Sequence, residues 1–123
     1  MYKSVVIVDD SEIESQITKR ILFTKLFAEN VETFSSAMAA LIYLNTVPVF
    51  PDVIFLDLNM PIMDGYDFMN SYIKFPEDRR KKCMVVLLTG TQSPEQLYKA
   101  QQHPEIKSVI RKPLDVEKLQ QLN

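Results

Sequence analysis

Two segments of this chain, Val5-Val6-Ile7-Val8 and Val53-Ile54-Phe55-Leu56, are apolar at every position rather than at every second one. A strand with one wet face alternates; a strand this uniform is buried on both faces, and the architecture that buries both is a parallel sheet covered by helices on each side. Each run ends in acid, the first in Asp9-Asp10 and the second in Asp57. Ligands of open α/β sheets bind in the crevice beyond the carboxyl ends of the strands. The sequence therefore sets carboxylates on the binding edge.

Strand-like runs and helix-period segments alternate along the whole chain, giving five βα units. After Asp10, Ser11 is placed to cap a helix over about residues 12–26, with Ile13, Ile17 and Ile21 at four-residue spacing on one face and Glu12 and Glu14 in its first turn. Residues 31–34 read as a second strand, and Ser35 or Ser36 caps a helix whose buried stripe is Ala37, Ala40, Leu41 and Leu44. The strand ending in Asp57 is followed by a loop with Pro61 and Asp64-Gly65, then a helix over about residues 66–75. Residues 84–88 form a fourth strand. Ser93 caps the next helix, with Pro94 and Glu95 in its first turn and an end near His103-Pro104. Residues 108–110 form the fifth strand, and Lys112-Pro113 turns the chain into a last amphipathic helix carrying Val116, Leu119 and Leu122.

At 123 residues the chain suits one compact domain, read as 1–123. Its 14 basic and 16 acidic residues leave a net charge of -2, which gives no bulk electrostatic reason to bind nucleic acid or a membrane. A single cysteine, Cys83, forms no internal disulfide, and no apolar run approaches the roughly twenty residues that cross a bilayer. A soluble, cytoplasmic protein is expected.

Asp9, Asp10 and Asp57 would crowd one rim and repel each other unless a cation intervenes or one takes up a proton. Hard oxygens converging there suit Mg²⁺, which prefers one or two carboxylates with waters and phosphate oxygens. Asp57 is the candidate nucleophile, since a carboxylate attacks phosphorus once a cation neutralises the crowded oxygens. Thr89, ending the fourth strand, and Lys112, ending the fifth, offer a hydroxyl and an ammonium to a phosphoryl group. Singly, each reads as well as a helix cap, a strand end or a surface lysine before a turn. Together, on one edge, they point to phosphate chemistry.

Val8-Asp9-Asp10-Ser11, Leu56-Asp57-Leu58-Asn59-Met60-Pro61 with Met63-Asp64-Gly65, Leu88-Thr89-Gly90 and Arg111-Lys112-Pro113 carry a specific resemblance over nearly the whole chain. The chain resembles a response regulator receiver domain of two-component signalling, similar to the single-domain chemotaxis regulator. That resemblance implies a flavodoxin-like, doubly wound five-stranded parallel sheet in the order 2-1-3-4-5. It also implies that Asp57 accepts phosphate from a histidine kinase or histidine phosphotransfer protein and later loses it by autodephosphorylation. By the same token Asp10 would ligate Mg²⁺ directly, Asp9 largely through a water, and Asn59 through its backbone carbonyl. Thr89 would act as the switch hydroxyl, Lys112 would bridge to a phosphate oxygen, and the Lys112-Pro113 peptide would be cis. An output protein, and a monomer or phosphorylation-dependent homodimer, complete the implied picture.

The chain departs from the family pattern at Val109, where receivers usually carry an aromatic ring whose rotation accompanies phosphorylation. Switching would then rely on Thr89 and the segment beyond it, including Gly90, Thr91 and Tyr98. The segment 102–106 also lacks the glycine-alanine pair often found before the fifth strand.

Other features read as structural. The basic run 79–82 suits a solvated loop, His103 an exposed helix end, Cys83 inert packing, and most of the six methionines core filler. A haloacid-dehalogenase-type phosphatase would want an acid where Asn59 stands. A flavodoxin-type phosphate loop would be repelled by Asp9, Asp10, Glu12 and Glu14. An interaction protein of receiver shape that is never phosphorylated is the remaining rival.

Overall fold

The computed structural model describes residues 1–90 and 93–122. Five strands, β1 (Tyr2–Val8), β2 (Ala28–Phe34), β3 (Val53–Asp57), β4 (Met84–Thr89) and β5 (Ile106–Arg111), form one sheet in the order β2-β1-β3-β4-β5. Every pairing is parallel. The helices are α1 (Glu12–Thr24), α2 (Ala37–Thr46), α3 (Gly65–Tyr72), α4 (Glu77–Arg80), α5 (Pro94–Gln101) and α6 (Val116–Gln120). This is the flavodoxin-like order the sequence leads one to expect.

The uniformly apolar strands have a direct explanation in the two cores. Successive strand side chains point to opposite faces, so Val6, Val8, Ile54, Leu56, Val85 and Leu87 pack with α2, α3 and α5 residues such as Leu44, Phe68, Tyr72 and Ala100. Val5, Ile7, Val53, Phe55, Val86 and Leu88 pack on the other side with Leu22 of α1 and Leu119 of α6. Neither half of the alternation meets water. The chain reverses its winding direction between β1 and β3, where such sheets open a crevice.

Several local expectations shift. Ile13 and Ile17 are turned away from the sheet, 75% and 49% exposed, and of the three only Ile21 packs against the core, while α1 buries Ser15, Thr18 and Leu22. Four-residue spacing identifies a face but not what it faces, and small residues on the opposite side let α1 lie close to the strands. β2 begins at Ala28, not 31, because Tyr2 pairs with Ala28 and Ser4 with Asn30, and pairing with a central strand outweighs the weak β-propensity of Glu29 and Asn30. Leu41 is only partly buried against the core, leaving Ala37, Ala40 and Leu44 as the buried stripe of α2.

The basic run 79–82 is not simply a solvated loop. α4 holds Arg79 and Arg80 against the protein: Arg79 donates to the Val47 carbonyl and lies over the Phe50 ring, with its guanidinium carbon 4.4 Å from the centroid. Arg80 donates to the Phe75 carbonyl at 2.8 Å and pairs with Glu105 at 2.6 Å. Lys81 and Lys82 alone stay exposed. His103 is half-buried, its Nδ1 accepting from the Glu105 amide at 3.4 Å.

Candidate functional site

The phosphoacceptor candidate is held by its strand and by the turn that follows. Asp57 ends β3 and is 5% exposed, and its Oδ1 accepts from the Asn59 amide at 3.4 Å. The chain then reaches α3, where the Gly65 amide donates to the Leu58 carbonyl at 2.9 Å. A side chain at 65 would meet backbone: an added Cβ would stand 3.0 Å from Leu58 Cα and 3.1 Å from the Asp57 carbonyl oxygen. Glycine is what lets α3 start this close to Asp57. Asp64 caps the helix and exchanges hydrogen bonds with Asp67 in a capping box, fixing the loop's far end.

From the neighbouring strand, Asp9 and Asp10 follow β1. Asp9 is 3% exposed, and its Oδ1 accepts from the Ser11 amide at 2.9 Å, while Asp10 is exposed. Asp9, Asp10 and Asp57 each bring a carboxylate oxygen within 4.8 Å of the others. Three hard oxygens so close suit a divalent cation such as Mg²⁺, whose charge would offset the repulsion among them.

Lys112 arrives from the opposite side, just past β5. Its amide donates to the Thr89 carbonyl at 2.9 Å, and the Lys112-Pro113 peptide is cis, as the resemblance implies. The ammonium lies 2.8 Å from Asp9 Oδ2, 2.6 Å from Glu14 Oε2 and 3.4 Å from Asp57 Oδ1. Thr89 is fully buried at the end of β4. Asn59 is exposed beside Asp57.

The charges follow from this packing. Burial is the main reason the Asp57 carboxyl is pushed up to about 6; Asp9 adds to the rise, and Lys112 and the Asn59 amide pull against it. For Lys112, burial alone would favour the neutral amine, but hydrogen bonds to Asp9 and Glu14 and the charge of Asp57 hold it above the ordinary lysine range. The balance favours the charged ammonium.

Glu14 is the site residue that sequence reasoning missed. It reads there as a helix-dipole acid in the first turn of α1, and nothing in the sequence marks how far its side chain reaches. Val109 is partly buried against the core. Tyr98 is 65% exposed on α5, and Thr91 lies outside the described residues. Tyr66 ties α3 to α5, its hydroxyl donating to the Gln96 carbonyl at 2.5 Å.

Residues 5–122 match the response regulator receiver domain. The chain belongs to that family. This receiver domain is similar over its whole length to a solved response regulator receiver protein from Dyadobacter fermentans, with a TM-score of 0.89 and 30% identity across 98% of this chain and 94% of that one. A CheX-CheY-BeF3-Mg²⁺ complex from Borrelia burgdorferi aligns with a TM-score of 0.78 and 28% identity, covering 97% of this chain and 84% of that one. A curated relative, protein-glutamate methylesterase/protein-glutamine glutaminase 2 of Cereibacter sphaeroides, is 43% identical over 70 residues, 57% of this chain. The matched region spans 19% of that protein's length.

The family places the receiver in two-component signalling, with a kinase or phosphotransfer protein as the implied partner class. Among the described residues, no helix is long and apolar enough to cross a membrane.

Proposed function

We propose that this receiver is a phosphorylation-dependent switch in which Asp57 takes a phosphoryl group from the phosphohistidine of a histidine kinase or histidine phosphotransfer protein. The observation that carries this reading is the meeting of Asp9, Asp10 and Asp57 within 4.8 Å, with the Lys112 ammonium 3.4 Å from Asp57. Asp9, Asp10, Asp57 and the Asn59 carbonyl would hold Mg²⁺. Bound there, the ion supplies charge neutralisation for the attacking carboxylate and the phosphoryl oxygens.

A carboxylate oxygen of Asp57 attacks phosphorus in line as the bond to the donor imidazole nitrogen breaks, and that nitrogen keeps the electron pair. The aspartyl phosphate carries close to two negative charges. Lys112 engages one phosphoryl oxygen and Thr89 moves to donate its hydroxyl to another, drawing the start of α5 with it. Water then attacks phosphorus, releasing inorganic phosphate and restoring the carboxylate. Catalysis is confined to this self-modification and its reversal.

Output goes to a partner protein in the cytoplasm, with the receiver acting as a monomer or as a homodimer formed on phosphorylation. Nucleic acid and membrane are not direct partners, in keeping with the net charge of -2. Incubation with a radiolabelled phosphohistidine donor tests the reading. Label should pass to the receiver with Mg²⁺ and not with a chelator, and a receiver left unlabelled by phosphohistidine and small phosphodonors alike would refute it.

A further inference from the structure

Lys112 has three ammonium hydrogens and three carboxylates in reach, but the three contacts are unequal. Glu14 is nearest at 2.6 Å, Asp9 follows at 2.8 Å, and Asp57 is farthest at 3.4 Å. Asp9 is held in place by the Ser11 amide, and Glu14 is anchored at the start of α1 by its own amide, which donates to Ser11 Oγ at 3.2 Å. The lysine is thus pulled toward α1 by the held Asp9 carboxylate and by Glu14, whose backbone is anchored there, while Asp57 lies on β3.

From this we propose that Glu14 is a positioning residue for phosphoryl uptake: it holds the Lys112 ammonium back from Asp57 until a phosphoryl group outcompetes it. The proposal rests on Asp57 being the phosphoacceptor. It concerns this chain's own geometry, since Glu14 reaches Lys112 only because an acid stands in the first turn of α1.

The chemistry gives the direction. When acetyl phosphate is the donor, an Asp57 oxygen bonds to phosphorus, the bond from phosphorus to the acetyl oxygen breaks, and acetate departs with the electron pair. The dianionic phosphoryl group ends on Asp57, so charge near Lys112 increases there and not at Glu14. Every uptake event must therefore lengthen the Lys112–Glu14 contact while the Lys112–phosphoryl contact forms. Glu14 stabilises the unmodified state and is set free in the modified one. Its side chain is 46% exposed, so water receives it at little cost. The carboxylate also adds a negative charge where an anionic donor approaches, and this second effect is separable from the first.

Two variants separate them. Glu14→Ala removes both hold and charge, whereas Glu14→Asp keeps the charge and draws the carboxylate back by one methylene. With saturating Mg²⁺, both should raise the rate of uptake from acetyl phosphate by about 2- to 5-fold, the range expected for releasing one partly exposed ion pair. In a Lys112→Ala background, Glu14→Ala should give a smaller gain, the part that comes from its charge alone. In the metal-free protein, both variants should shift the Lys112 ammonium nitrogen resonance and, as the ammonium closes on it, the Asp57 carboxyl carbon resonance. A native-like rate in Glu14→Ala, a native-like rate in Glu14→Asp alone, or an equal gain without Lys112 would each overturn the proposal. A native protein that takes up no phosphoryl group would instead overturn the assignment of Asp57, and the proposal with it.

Discussion

Asp57 and Lys112 stand 3.4 Å apart although they come from strands that are not neighbours, β4 lying between β3 and β5. Asp57 closes β3, and Lys112 is the residue after β5, bent toward the crevice and tied by its amide to Thr89. The sheet edge thus assembles acid and base from separate strands around one opening. The strain of that arrangement falls on Asp57, a buried carboxyl beside another acid.

Asp57→Asn is expected to stabilise the metal-free protein and flatten its pH dependence. Burial raises the Asp57 carboxyl from 3.8 to about 6, so the folded state binds its proton more tightly than the unfolded chain does. The contribution is complete below about 4 and is lost as pH rises through about 6. Ionised Asp57 then opposes folding by roughly 3 kcal/mol near neutrality. Denaturant titrations between pH 4 and 7 in the presence of a chelator should show native stability falling more steeply than that of the variant. Parallel curves would contradict this account of the site.

Gly65→Ala should destabilise the fold. The new Cβ would press on Leu58 Cα at 3.0 Å and the Asp57 carbonyl at 3.1 Å, both backbone atoms that move only with the loop after β3. Overpacking of this kind costs about 1–3 kcal/mol, readable in urea unfolding. Because the displaced backbone carries Asp57, phosphoryl uptake should slow as well.

Ile62→Asn should raise the melting temperature by a few degrees. Ile62 has φ of 69° and is fully exposed in the loop after Asp57, so a β-branched side chain is held in left-handed backbone without burial in return. Asparagine tolerates that region. An unchanged or lower melting temperature would mean that Ile62 has a compensating contact.

What could be read from the sequence was whatever a strand end fixes. Asp9, Asp10, Asp57, Thr89 and Lys112 are placed by the ends of apolar runs, and those ends share an edge in a parallel sheet, so their meeting follows from topology. Glu14 was hidden because its contact depends on how far a helical side chain reaches across to β5. The Ile13–Ile17 spacing was visible but its direction was not, since the buried side of α1 is made of Ser15, Thr18 and Leu22. Arg79 and Arg80 read as solvated charge because the carbonyls and the Glu105 carboxylate that receive them are distant in sequence.

Chemical identification of the modified side chain tests the central claim most directly. The native protein is incubated with acetyl phosphate and Mg²⁺, reduced with borohydride and digested, so that a phosphorylated aspartate is read out as homoserine. The account predicts one acid-stable, base-labile phosphoryl group per chain and homoserine at position 57, with neither in Asp57→Asn. Stoichiometric modification elsewhere, or continuous turnover of the donor with no acyl phosphate formed, would contradict it.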